Sequence, residues 1–239
     1  MKTQKNIAMI LAGGISARMK SPVPKQFHIV RGKPVIVYTI EAFQNSVAID
    51  EIVVVLLKEW DDILKKYIEE YNLTKVRKII FGGATGFQSI QNGVKYLSET
   101  YQDEDIILIH DAVRPLLTEE IINNNIIGVQ KHGNAITFVP ATEALLYSED
   151  GEMSEKIVDR NLILRTQTPQ SLRLKDLVKL HADAQKANIT DAVATCTLMV
   201  EMGYKVYGVM GNNSNFKLTT PEDVTLFRAY LDAKEKGET

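Results

Sequence analysis

The chain has 239 residues, enough for one large domain with a sizeable core, and its 45% apolar and 24% charged side chains are those of an ordinary folded protein, too rich in core formers for disorder. Its 28 basic and 30 acidic residues leave a formal charge of −2, which argues against a broad polyanion-binding surface and leaves room only for a local cationic pocket. Cys196 is the single cysteine, which excludes an intrachain disulfide and any metal site built on several cysteines.

Lys2 and Lys5 ahead of the apolar stretch Ile7 to Ala12 loosely imitate a signal peptide. The stretch is short and runs into Gly13-Gly14, so it reads as a buried first strand, and the expected location is cytoplasmic. Apolar, mostly β-branched runs follow at Ile52 to Leu57, Lys78 to Phe81, Ile106 to His110, Ala135 to Val139 and Lys205 to Val209. Such runs suit strands covered on both faces. The longest, Ile52 to Leu57, is far too short to span a bilayer. Neither a membrane nor a nucleic acid is expected as a partner.

Between the strands lie helical patterns. Ile36, Ile40 and Phe43 share one face, as do Leu64, Tyr67 and Ile68. Thr220-Pro221-Glu222-Asp223 offers an N-cap hydroxyl, a proline at the first helical position and acids in the first turn, so a helix is predicted through Val224, Phe227 and Leu231. Alternating strands and helices imply a single α/β domain over residues 1–239, Rossmann-like, with a mostly parallel (mixed) sheet and helices on both faces. Residues 142–158 break the rhythm with two short β-like runs around Glu149-Asp150-Gly151, which predicts a protruding β-arm. A hairpin cannot bury its own apolar face, so the arm is expected to make a homodimer.

Chemistry-bearing residues fall at the ends of the strands. Gly13-Gly14 after the first strand can bring backbone N–H groups to a phosphate chain, with Arg18 and Lys25 adding positive charge, although an ordinary glycine turn with two solvated cations is also open. The spacing matches neither a P-loop nor a dinucleotide-binding fingerprint. Gly82-Gly83 after the third strand could admit a planar base, with Ser89 heading a helix and offering its N–H and hydroxyl, or Ser89 could be a plain helix-start residue. Asp111 in His110-Asp111-Ala112-Val113-Arg114-Pro115 could hold Mg²⁺ between phosphates, or pair with Arg114 to organise the loop. His28, His132 and His181 are scattered, which speaks against a histidine nucleophile.

Taken together, L-A-G-G-x-x-x-R-M with P-K-Q-F, G-G-x-x-x-x-x-S, H-D-A-V-R-P, D-R-x-x-x-x-x-Q-T-P-Q and N-x-K-x-T-T-P-E-D resemble the cytidylyltransferases that activate small alcohol phosphates, in order from Leu11 to Asp223. The resemblance implies transfer of a cytidylyl group from CTP to an alcohol phosphate with release of pyrophosphate, assisted by Mg²⁺. It implies that Arg18 and Lys25 neutralise the triphosphate, that Leu11, Ala12, Gly13, Gly14, Gly83 and Ser89 form the nucleotide pocket, and that Asp111 serves metal, nucleotide and acceptor. Lys217 matches a lysine near the acceptor phosphate, Arg114 and Thr168 belong to the acceptor side, and Arg160 matches an arginine reaching the acceptor from a neighbouring subunit's arm. Gln167-Thr168-Pro169-Gln170 is expected to shape the pocket wall. The chain departs from the family where Gly86 replaces a usual Arg and Glu143-Ala144 a usual Asp-Thr. The wording of the motifs leans toward ribitol 5-phosphate as acceptor, with 2-C-methyl-D-erythritol 4-phosphate as the alternative. A non-catalytic nucleotide-binding scaffold is the reading from another class, and the set Arg18, Lys25, Asp111 and Lys217 argues against it.

Overall fold

The computed structural model describes residues 4–14 and 23–237. In chain order its strands and helices are β1 (Asn6–Ala12), β2 (Ile29–Val30), β3 (Lys33–Pro34), α1 (Val35–Asn45), β4 (Glu51–Leu56), α2 (Asp61–Glu70), β5 (Val76–Phe81), α3 (Gly86–Thr100), β6 (Ile106–Asp111), α4 (Glu119–His132), β7 (Asn134–Pro140), β8 (Leu145–Tyr147), β9 (Lys156–Val158), β10 (Leu164–Arg173), α5 (Leu174–Lys186), α6 (Thr195–Glu201), β11 (Gly208–Met210) and α7 (Pro221–Glu235). Seven strands form the main sheet in the order β11-β7-β10-β6-β1-β4-β5. All its pairings are parallel except those of β10, which runs antiparallel to both β6 and β7.

Alternation along β1 shows why the sheet is apolar on both sides. Ala8, Ile10 and Ala12 enter one core with Ile36 and Ile40 of α1, Leu64 of α2 and Ile122 of α4. Ile7 and Met9 enter the other, with Phe87 of α3, Leu177 of α5 and Cys196 of α6. A smaller cluster of Val30, Val35, Val113, Leu218 and Phe227 fastens α7 beside the loop that follows β6. Buried on both faces, the parallel strands need no polar alternation, which is why they are legible as continuous apolar runs. Helix ends follow local chemistry: Thr118 Oγ1 accepts from the N–H of Ile121 at the start of α4, and Gly133 closes that helix in the left-handed region at φ 86°. The α7 start is as predicted, with Thr220 at the cap and Pro221 in the first turn.

Two expectations need correction. The strand predicted from Lys205 begins at Gly208, because Asn134 intercepts the ladder: its side chain donates to the carbonyl of Lys205 and accepts from the N–H of Tyr207. The stretch around Gln167-Thr168-Pro169-Gln170, expected only as pocket wall, belongs to the interior strand β10. A proline there is tolerated because the pairing with β7 shifts register between Thr166 and Gln170.

β8 and β9 pair as an antiparallel hairpin outside the main sheet, as expected of the arm. Leu146, Met153 and Ile157 on it are exposed. Among the described residues no helix is long and apolar enough to cross a membrane.

Candidate active site

From β1 the chain crosses to β4 on one side, then returns to β6 on the other, so the carboxyl ends of β1 and β6 diverge into a crevice. A cleft of about 450 Å³ opens there. Leu11, Ala12, Gly13 and Gly14 supply one wall, Ala84, Thr85, Gly86 and Ser89 a second, and Asp111, Val113, Lys217 and Thr219 a third, with Lys25 also in the lining. Lys25 and Lys217 are the described cations of this lining and Asp111 its one described carboxylate, so the cleft favours an anionic ligand. Arg18 lies outside the described residues.

The glycine loops are shaped by Ser89 and Gln26. Ser89 Oγ accepts from the N–H of Gly83 and donates to the carbonyl of Thr85. A Cβ on Gly82 would sit 2.7 Å from that oxygen, closer than packing allows. Ser89 does not head the helix as expected: Thr85 is the N-cap, and the Ser89 N–H is spent on the Thr85 carbonyl within α3. Gly83 sits behind the lining, against Gln88, leaving Ala84 to Gly86 to face the cleft. Gln26, buried after β1, donates to the carbonyls of Ala12 and Gly14 at 2.7 and 3.1 Å and so fixes the first glycine loop.

Asp111 closes β6. Its Oδ2 takes Arg114 Nε and Lys217 Nζ, each at 3.1 Å, so the ion pair with Arg114 and the placement beside Lys217 coexist. Burial alone would raise the Asp111 carboxyl, but Lys217 and Arg114 outweigh it and hold it below the usual aspartate range. Both of those contacts with described residues fall on Oδ2. Among the described residues no cluster of three or more metal-ligating side chains exists. A carboxylate in the lining of a cleft that favours a phosphorylated ligand nevertheless fits Mg²⁺, which takes one or two carboxylates and completes its shell with phosphate oxygens and water.

Thr168 and Arg114 stand just behind Asp111. Thr168 Oγ1 accepts from the N–H of Asp111, and Arg114 Nη1 donates to the carbonyl of Asn215. Arg160, exposed at the foot of the arm, donates to the carbonyl of Thr142 in its own chain and does not line the cleft. Beyond the residues singled out in the sequence, the structure adds Gln26, Thr85, Val113, Ala192, Val193 and Thr219 to the lining. Gln26 was within reach of sequence reasoning, as part of Pro24-Lys25-Gln26-Phe27; the loop residues Ala192 and Val193 carry no charge or period that could have flagged them.

Glycine loops and two lysines at the switch point of an α/β sheet define a protein that binds a phosphorylated ligand. The model of the family 2-C-methyl-D-erythritol 4-phosphate cytidylyltransferase (IspD) matches residues 6–233, and the chain belongs to this family. It is 41% identical over 231 residues to ribitol-5-phosphate cytidylyltransferase of Vibrio parahaemolyticus, covering 96% of this chain and 97% of that one. It is 38% identical over 222 residues to 2-C-methyl-D-erythritol 4-phosphate cytidylyltransferase of Clostridium acetobutylicum, covering 92% and 94%. The fold matches the crystal structure of 4-diphosphocytidyl-2C-methyl-D-erythritol synthase from Anaerococcus prevotii with a TM-score of 0.81 at 27% identity, covering 96% of this chain and 99% of that one.

Proposed function

We propose that this protein transfers the cytidylyl group of CTP to D-ribitol 5-phosphate, giving CDP-ribitol and pyrophosphate. The observation that carries the reading is the convergence of Lys25, Asp111 and Lys217 on one cleft behind a glycine loop, in a chain whose similarity to a ribitol-5-phosphate enzyme runs nearly end to end. An oxygen of the acceptor's phosphate attacks the α-phosphorus of CTP, a new P–O bond forms, and the bond to the β-phosphate bridging oxygen breaks. The nucleophile is already an anion, so no general base is required. Lys25, with Arg18, meets the charge gathering on the triphosphate, and Lys217 beside Asp111 holds the acceptor phosphate in line. Alignment and charge stabilisation then supply the rate enhancement. Mg²⁺, taken up by Asp111 and phosphate oxygens, would neutralise further charge on the nucleotide.

The arm belongs to the same proposal. Leu146 and Ile157 suit burial against a second copy of the chain, and Arg160 at the arm's foot would complete the partner's acceptor site. Methylerythritol phosphate remains the second reading, favoured by the family match and the Clostridium relative. Pyrophosphate release from CTP, measured against ribitol 5-phosphate, methylerythritol 4-phosphate and other alcohol phosphates, with UTP and ATP as controls, decides between them. The largest kcat/KM is expected for ribitol 5-phosphate; a larger one for another acceptor would reassign the substrate.

A further inference from the structure

His110 is the one polar residue inside the buried run of β6, fully enclosed and edge-on to Phe43 at 5.2 Å. An apolar residue would serve packing at that position equally well, so what the imidazole does with its two nitrogens bears on its purpose. Nε2 lies 3.1 Å from the carbonyl oxygen of Arg114. A carbonyl can only accept, so Nε2 carries the hydrogen. Nδ1 is then a bare acceptor, and at 3.0 Å from it stands Thr168 Oγ1. That hydroxyl also accepts the N–H of Asp111 at 3.1 Å. Its single hydrogen therefore goes to Nδ1, and the chain of bonds has one consistent direction: Asp111 N–H to Thr168, Thr168 O–H to His110, His110 N–H to Arg114.

The loop Asp111 to Arg114 is thus gripped at both ends by one ring. At its start the grip runs through Thr168 to the backbone of Asp111, and at its end directly to the carbonyl of Arg114. The turn is closed internally by the N–H of Arg114 on the carbonyl of Asp111. It is tied onward to the segment carrying Lys217, because Asn215 donates to the carbonyl of Thr168 and accepts Arg114 Nη1. Three stretches of chain that are distant in sequence, 110–114, 167–168 and 215–217, are fixed relative to one another around Asp111. The Thr168 hydroxyl has no hydrogen left to give to a substrate; it keeps only acceptor capacity. This changes the weight of its expected substrate-binding role: within this network it is first a strut.

We propose that His110 is a positioning residue for cytidylyl transfer, locking Asp111, Arg114 and Thr168 into register through a single ring tautomer. The proposal rests on the transfer reaction proposed above. Misplacing a reacting group by about 1 Å costs on the order of 100-fold in rate, so the role shows in turnover rather than in CTP affinity.

Three substitutions separate the legs of the clamp. His110→Phe keeps a ring against Phe43 and removes both bonds. His110→Asn places an amide oxygen near the position of Nδ1 and keeps the leg to Thr168 and Asp111, whereas His110→Gln reaches toward the Arg114 carbonyl and keeps only the other leg. Expected for His110→Phe is a fall in kcat of about 10- to 100-fold with the calorimetric CTP affinity nearly unchanged. His110→Asn should recover most of the turnover and His110→Gln less. Thr168→Val should be costly in the wild-type background and nearly without further effect in His110→Phe, since coupled residues are not additive. Independently of activity, the ¹⁵N spectrum of the wild-type ring should show the Nε2–H tautomer alone. An Nδ1–H tautomer, full turnover in folded His110→Phe, Gln rescuing better than Asn, or additive His110 and Thr168 effects would each overturn the proposal. Where His110→Phe does not fold, the order of Asn over Gln and the tautomer decide. A wild-type protein silent toward every acceptor would instead sink the transfer reading itself.

Discussion

Lys25 sits in the 3-10 turn Lys25–Phe27 with only 9% of its surface exposed. Lys25→Ala is expected to lower kcat for pyrophosphate release by about 10²- to 10³-fold, the usual cost of removing one group that stabilises developing charge, with the circular dichroism spectrum unchanged. Near-normal turnover in that variant would remove Lys25 from the phosphate site. At this scale the sequence was readable where charge stood at a strand end, as for Asp111, or inside a recognisable motif, as for Lys25 and Lys217. It was not readable where a residue acts through others. His110 looks like one more member of an apolar strand, and nothing in the spacing of Thr168 says that its hydroxyl will meet both the Asp111 N–H and the His110 ring.

α3 and α5 pack on the same side of the sheet, and His181 of α5 lies tilted on Phe87 of α3 at 5.4 Å. Neither of its ring nitrogens has a hydrogen-bond partner among the described residues. Burial is the sole cause of its depressed basicity, which falls to about 4. Buried His110 is pushed down to about 4 as well, by burial first. In the unfolded chain each titrates near 6.5, so between about 6.5 and 4 the unfolded state binds the extra proton and stability drops as pH falls. The loss amounts to at most about 3 kcal/mol for each histidine by the end of that window. His181→Leu should leave stability at pH 7 unchanged or higher and make the decline over that window roughly half as steep, measured by denaturant unfolding at several pH values. An identical slope would show that His181 is already charged or solvated in the fold. Strands and helices at this scale were mostly legible, because β1, β4, β6 and β7 are buried on both faces and declare themselves as largely apolar runs. β10 was not, since its Thr, Gln and Pro residues hide an interior strand whose polar groups are met by Asn215, Thr137 and Cys196.

For the molecule as a whole, a near-zero net charge conceals a local imbalance, with Lys25 and Lys217 drawn together from opposite ends of the chain. The hairpin β8–β9 presents Leu146 and Ile157 to solvent at 66% and 87% exposure. A homodimer is expected in sedimentation velocity at micromolar concentration, and Ile157→Asp should shift it to monomers, because an uncompensated charge in a desolvated contact is costly. A wild-type monomer would count against the arm as the contact. One more consequence follows from the placement of β10. β6 and β7 follow each other closely in the chain, yet in the sheet they stand apart and wait for a strand that begins at Leu164. As the chain leaves the ribosome, their facing edges are unpaired until that late segment arrives, and unpaired edges are templates for wrong partners. Thr168 comes with that strand and Lys217 later still. The glycine loops can therefore fold early, but the proposed catalytic centre is completed only after Lys217 has been added, and a chain stopped before Leu164 would combine sticky interior edges with no activity.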